Sequence, residues 1–325
     1  MKNYFYIAII LLLFICTISC QMGSTKKNTQ TVEEETVEVF QLPYGAIPFT
    51  LSEKGMCIES EINGVPAAML LLSRFNNFTL DSTFVFSNLD SLKMKIETKS
   101  RKVCRDGVCR VKMASAVVSP VTLSLGNDIQ QINKNIDIFN LKNLPGATFD
   151  MEVPIVKILK DKILLLDVSH NYLKTDITQD SLKYFIEDFE VIDIDIIENC
   201  CYLADSLSIY TQEETLSKKG VLWFDFNLPY SIIYKMNFTE EPQQCKGVCA
   251  THIDYAYNTA EKETMHTDSI VFTKLKTIFF DTDIAVRHID KVNLLLAILG
   301  LDFFQHYCAV FDFNEKKMYL KEHQK

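Results

Sequence analysis

The stretch from Val221 to Ile233 constrains the fold more than any other. Val221-Leu222-Trp223-Phe224 is an apolar run that drives into Asp225. A polar, proline-marked turn follows through Asn227 and Pro229, and the apolar run resumes at Ile232-Ile233. Apolar runs of this length bounded by turn residues read as strands, so the layout is strand, aspartate-bearing turn, strand.

The layout resembles the active-site loop of pepsin-like and retropepsin-like aspartic peptidases. Their loop reads hydrophobic-hydrophobic-Asp-Thr-Gly-Ser/Ala, often followed by Pro-x-Ser-hydrophobic. Asp225, both apolar flanks and Pro229-Tyr230-Ser231-Ile232-Ile233 match that pattern, but Phe226 and Asn227 stand where it has Thr and Gly.

A second half of the chain repeats the plan. Met56 to Ile62 alternates, Asn63-Gly64 turns, and Val65 to Leu72 returns, which is a strong hairpin signal. In the family this hairpin leads to the first Asp-Thr-Gly; here the three places hold Ser73, Arg74 and Phe75. Val117 to Leu125 reads as a strand closed by Gly126-Asn127. The closing motif of a lobe, hydrophobic-hydrophobic-Gly-x-Asp, is matched well by Ile298-Leu299-Gly300-Leu301-Asp302. Its counterpart is Val153 to Asp167, with Ile155 at the Gly place. Ile155 and Asp167 are 12 residues apart, as are Gly300 and Asp312. The tail, Ala309 to Leu320, reads as a hairpin turning at Asn314-Glu315-Lys316-Lys317. A repeat this long means two lobes rather than a solenoid.

The resemblance implies a mostly β fold of two similar lobes, the aspartic peptidase (acid protease) fold, with few short helices, over about residues 45 to 321. The implied order is a signal peptide at 1–19 and a lipidated Cys with a flexible tether at 20–44. An N-terminal β lobe at 45–173, an interlobe connection at 174–199 and a C-terminal β lobe at 200–325 follow. Within the connection, Asp180 to Phe189 reads as a short helix with Leu182, Phe185 and Phe189 on one face, and Val191 to Ile196 as one strand.

The chemistry of the family needs two carboxylates that share a proton and grip one water, so that one serves as acid and the other as base. Only Asp225 stands at a dyad position, with Ser73 at the other. The two Thr places, whose hydroxyls brace the loops, hold Arg74 and Phe226, so that brace is expected to be lost. Phe75 and Asn227 stand at the two Gly places. The implied protein is a catalytically inactive relative that binds a peptide or envelope protein in the interlobe cleft, through Ser73, Arg74, Phe75, Phe226 and Asn227. One alternative is an atypical aspartic-type endopeptidase using Asp225. Another is a structural protein whose cleft is closed by Phe75, Phe226 and Trp223. Asp81, eight residues past Ser73, reads as a cap or turn residue rather than a substitute carboxylate, and Asp193 and Asp195 as the solvated face of a strand.

The first residues read as targeting. Met1-Lys2-Asn3 is a short basic start, and Tyr4 to Ile18 is an apolar stretch too short for a confident membrane span. Thr17-Ile18-Ser19-Cys20 resembles the lipobox of Bacteroidota lipoproteins, which implies lipidation at Cys20 and attachment to a membrane. Gln21 to Lys27 lacks the acidic run that marks surface export in that group. The expected place is therefore the outer membrane, facing the periplasm. Five Asp-Ser-(Leu/Ile/Thr) triplets, at Asp81, Asp90, Asp180, Asp205 and Asp268, resemble the O-glycosylation signal of the same group.

Composition excludes other classes. The net charge is −9 with no basic stripe, which excludes a nucleic-acid surface. No Gly-x-Ser-x-Gly, His-Glu-x-x-His or phosphate-binding glycine loop occurs. Eight cysteines remain beyond Cys16 and Cys20, an even number that implies disulfides in an exported chain. Cys104 and Cys109 bracket an Asp-Gly turn, and Cys245 and Cys249 sit at a comparable place in the second half. These cysteines lack the spacing and nearby histidines of a metal site, and the six histidines are scattered, so no metal and no cofactor is expected.

Overall fold

The computed structural model describes residues 40–73, 77–105, 108–133, 136–197, 199–234, 238, 263–287 and 295–323, without the side chains of 99, 101–112, 263, 280–281, 283 and 285–287. Cys20, Arg74, Phe75, Cys245 and Cys249 lie outside these residues.

Twenty-two strands make up most of the described chain. The first lobe is built from β1 (Ile47–Ser52), β2 (Gly55–Ile62), β3 (Val65–Leu72), β4 (Thr79–Asp81), β5 (Ile96–Arg105), β6 (Val108–Val117), β7 (Val121–Leu125), β8 (Asp128–Ile132), β9 (Ile136–Phe139) and β10 (Met151–Pro154). β11 (Ile163–Asp167), β12 (Tyr172–Ile177) and β13 (Glu190–Asp193) follow. The second lobe holds β14 (Asp195–Ile197), β15 (Cys200–Tyr210), β16 (Thr215–Phe224), β17 (Ile232–Tyr234), β18 (Glu263–Phe272), β19 (Thr277–Arg287) and β20 (Leu295–Leu299). β21 (Tyr307–Asp312) and β22 (Lys317–Glu322) end the described chain.

The two lobes share one topology. In the first, β3 runs parallel to β10, β10 antiparallel to β4, and β4 parallel to β9. In the second, β16 runs parallel to β20, β20 antiparallel to β17, and β17 parallel to β19. Short helices follow both central strands, at Ile155–Ile158 and at Leu301–Phe304. Between the lobes lies a third layer in the order β13-β22-β21-β11-β12-β1. Its centre is the antiparallel pair β11–β21, from Ile163↔Asp312 to Asp167↔Cys308. The hairpins β11–β12 and β21–β22 flank that centre symmetrically. The predicted fold, mostly β with two similar lobes and few short helices, is the one observed.

Local sequence explains the pieces. Asn63 and Gly64 have φ of 50° and 79°, so both sit in the left-handed region that a two-residue hairpin turn demands. The strands β11 and β20 are buried at every position, as the apolar runs Ile163 to Leu166 and Leu295 to Leu299 require, and Asp167 at the end of β11 is buried with them. β7 alternates buried and half-buried residues because one face meets solvent. The hydrophobic core is continuous through both lobes, from Phe49 and Leu71 to Phe224 and Phe311.

Two local expectations change. The connection contains a helix at Gln179–Phe185, capped by Thr178 and Ser181, but only Leu182 of its apolar face is buried and Phe185 is exposed. Val191 to Ile196 is two strands rather than one. The chain breaks at Ile194, so that β13 joins β22 in the interlobe layer while β14 joins β15 in the second lobe. Asp193 and Asp195 flank that break and are exposed, as expected.

The cysteines divide. Cys57, Cys201 and Cys308 are free thiols, so the even count does not mean that all eight are paired. Cys104 and Cys109 are direct partners in the β5–β6 hairpin register, though their side chains lie outside the described residues. The Asp-Ser triplets also divide. Asp81 caps the helix Ser82–Ser87, while Ser206 and Ser269 lie inside β15 and β18.

Candidate functional site

Parallel pairing in each lobe brings the two loops together. β3 ends at Leu72 beside Pro154, and Ser73 follows. β16 ends at Phe224 beside Leu299, and Asp225 follows with its N–H donating to the Leu299 carbonyl at 2.9 Å. Ser73 and Asp225 therefore meet, as their repeat positions predict.

They meet as a hydrogen-bonded pair. Ser73 Oγ donates to Asp225 Oδ1 at 2.7 Å, and the same hydroxyl accepts from the Phe226 N–H at 2.8 Å. Asn227 completes the junction. Its N–H donates to Asp225 Oδ1 at 2.9 Å, and its side-chain Oδ1 accepts from the Ser73 N–H at 3.0 Å. Its Nδ2 donates to the Leu71 carbonyl at 2.8 Å. One serine hydroxyl and one asparagine amide thus tie each loop to the backbone of the other. The loops are braced after all, by Ser73 and Asn227 rather than by a pair of threonines. The signal missed in the sequence is the amide group. Asn227 carries both a donor and an acceptor, which a glycine at that place lacks.

The junction is closed to solvent. Ser73 is 1% exposed, Asp225 0% and Asn227 5%. The β1–β2 turn lies against it, since a Cβ on Gly55 would come within 2.8 Å of Asn227 Cα. Phe226 does not face a cleft. Its ring is fully buried and meets Phe304 and Phe311 edge-on, with centroids 5.4 Å and 5.2 Å away. It is a core residue of the second lobe and offers a ligand no surface. Trp223 is equally internal, stacked on Tyr202.

The lobe-closing motif has a structural role in the second half. Asp302 Oδ1 accepts from Ser231 Oγ and its Oδ2 from the Ser231 N–H, both at 2.7 Å. Ser231 Oγ in turn accepts from the Gly300 N–H at 3.0 Å. In the first lobe Lys157 stands two residues past Ile155, and its ammonium lies 5.3 Å from the centroid of the Phe78 ring instead. Asp81 is occupied as a cap. Its Oδ1 accepts from the Phe84 N–H at 2.9 Å and its Oδ2 from the Lys142 N–H at 3.1 Å. It does not stand in for the second carboxylate.

Two lobes of one topology, each presenting a loop to a shared central junction, decide the architecture. The fold is aspartic-peptidase-like. Across that junction, however, Asp225 faces a hydroxyl. A serine cannot share a proton with a carboxylate as an acid–base pair near neutral pH, and this serine already spends its proton on Asp225. No family model matches the chain, and no curated protein matches it. Among solved structures it is similar to the crystal structure of aspartic proteinase from Irpex lacteus. The match has 12% identity, covers 86% of this chain and 97% of that chain, and has a TM-score of 0.47.

Proposed function

We propose that the protein is a catalytically inactive, lipid-anchored envelope protein of aspartic-peptidase-like fold that binds an extended peptide or a loop of an envelope partner between its lobes. The observation that carries the inactive reading is the 2.7 Å hydrogen bond from Ser73 to Asp225 at a fully buried junction. Proton sharing needs a second carboxylate, and a reactive water needs room beside it. Here the hydroxyl and the Asn227 amide fill that place.

Binding is inferred from what remains when chemistry is removed. A bilobed β fold can hold an extended chain by strand-like backbone pairing, which needs no catalytic carboxylate. The anchor at Cys20, the position facing the periplasm and a Cys104–Cys109 bridge belong to the same reading and rest on the sequence patterns.

The test incubates a peptide library with wild type and with Asp225→Ala between acidic and neutral pH, read by mass spectrometry. We expect no cleavage by either. Cleavage by wild type that vanishes in the variant would establish an atypical aspartic peptidase. Crosslinking capture from envelope extract, repeated with competing peptide, tests the binding half.

A further inference from the structure

The histidines, scattered in sequence, are not all scattered in space. His170 and His323 are 153 positions apart in the chain, yet their rings meet edge-on with centroids 5.7 Å apart. Between them is Asp167. One ligand atom from each of these three residues lies within 4.8 Å of the other two.

The interlobe layer explains the meeting. Asp167 ends β11 opposite Cys308 of β21, and Cys308 pairs with Lys321 of β22. His323 follows β22, held by its N–H to the His306 carbonyl at 3.0 Å. His170 lies in the turn after β11, fixed by its N–H donating to Asp167 Oδ1 at 3.1 Å. The ends of neighbouring strands therefore converge at one end of the layer.

We propose that Asp167, His170 and His323 form a binding site for a divalent transition cation of the zinc type. The donor set is two imidazoles and a carboxylate, the chemistry that such ions prefer. The spacing fits. Zinc bonds of about 2.0–2.2 Å at tetrahedral angles separate ligand atoms by roughly 3.3 Å. His170 Nδ1 lies 2.9 Å from Asp167 Oδ2, and His323 Nε2 lies 3.6 Å from Asp167 Oδ1.

Two further features support the site. Ser169 Oγ lies 2.9 Å from Asp167 Oδ1, 3.0 Å from His170 Nδ1 and 3.2 Å from His323 Nε2. It lies within hydrogen-bond distance of an atom of each of the three, where it can complete the coordination or hold a bound water. The buried carboxylate is also hydrogen-bonded by the phenol of Tyr172, an outer partner of the kind that orients metal ligands. Asp167 is already satisfied by Ser169, Tyr172 and the His170 backbone. Two imidazoles nevertheless converge on it, more than a hydrogen-bonded cap requires. Both rings are part-exposed, at 37% and 24%, which leaves an entry path for an ion. The cation would clip the turn after β11 to the end of β22.

The test uses the full chain in detergent, without a histidine tag and stripped with chelator. Titration with zinc chloride should show one equivalent bound, with affinity falling at least tenfold in His170→Ala and in His323→Ala but not in His266→Ala, an exposed histidine elsewhere. On wild type alone, zinc should protect His170 and His323 from diethylpyrocarbonate, read by peptide mass spectrometry. That measurement stands whether or not the variants fold. No zinc uptake, binding that survives both substitutions, or equal modification of both rings with and without zinc would each overturn the site.

Discussion

Ser73 and Asp225, from equivalent loops of the two lobes, are joined by a 2.7 Å hydrogen bond with neither residue open to solvent. The serine does more than occupy the place of a lost carboxylate. Its hydroxyl both donates to Asp225 and accepts from Phe226 N–H, so it bridges the lobes twice. Ser73→Ala leaves a buried carboxylate short of a donor and a buried amide short of an acceptor. Each such loss costs about 1–3 kcal/mol, so a total of about 2–6 kcal/mol is expected from urea unfolding. Ser73→Asp should not create a peptidase, because the junction remains closed to substrate.

Asn227 acts through both ends of its amide. Asn227→Asp turns the donor facing the Leu71 carbonyl at 2.8 Å into an acceptor, and places a second carboxylate beside Asp225. Asn227→Ala only deletes the contacts. The aspartate variant should therefore be the less stable of the two despite its similar shape, the alanine variant costing about 2 kcal/mol and the aspartate variant more. Denaturant midpoints at neutral pH measure the order.

Gly300 is confined by packing rather than by its backbone angles. A Cβ there would come within 2.6 Å of the Tyr230 carbonyl oxygen and 2.7 Å of that of Leu228, both backbone atoms. Gly300→Ala should cost about 3 kcal/mol or more and loosen the Ser231–Asp302 pair. A fall in Tm of several degrees checks it, with Gly64→Ala as a contrast at a site where the new methyl meets nothing within 4 Å but where φ is +79°.

Alkaline pH should weaken the fold through Cys201. Burial, and to a smaller extent Cys200, pushes its thiol well above the ordinary value of 9.0. The folded state then keeps a proton that the unfolded state releases. The stabilisation is complete below about pH 9 and is lost as pH rises above it. Urea midpoints at pH 8 and pH 10.5 should differ more for wild type than for Cys201→Ala.

Cys20 tests the anchor. Cys20→Ala should move the protein from the membrane fraction to the soluble fraction of the envelope, read by fractionation and immunoblot. Unchanged partitioning would remove lipidation from the proposed function.

The lobes were legible because their pattern is local. The Asn63-Gly64 turn, the runs into Ser73 and Asp225, and the equal spacing from Ile155 to Asp167 and from Gly300 to Asp312 each predict an element that exists. What escaped reading depends on pairs distant in the chain. Asn227 looked like damage to a glycine position because its partners, Leu71 and Ser73, belong to the other lobe. Phe226 looked like a cleft residue because periodicity does not say which side of a junction a ring enters. Asp167 and His170 share one turn and read there as an ordinary cap, and only strand order brings His323 to them.

That strand order also governs how the chain must be made. The inner edge of β11 is covered only by β21, so Ile163 waits for Asp312, and Asp167 for Cys308. Until the last hairpin exists, a strand apolar from Ile163 to Leu166 presents an unpaired edge, which is a template for misassociation. The first lobe therefore cannot finish folding as it emerges, however complete its own sheet. Closing a loop this long also makes the final step slow relative to hairpin formation. Stopping synthesis before residue 307 should yield aggregates rather than a folded half-molecule, and a chaperone that shields β11 would have work to do until the end of the chain arrives.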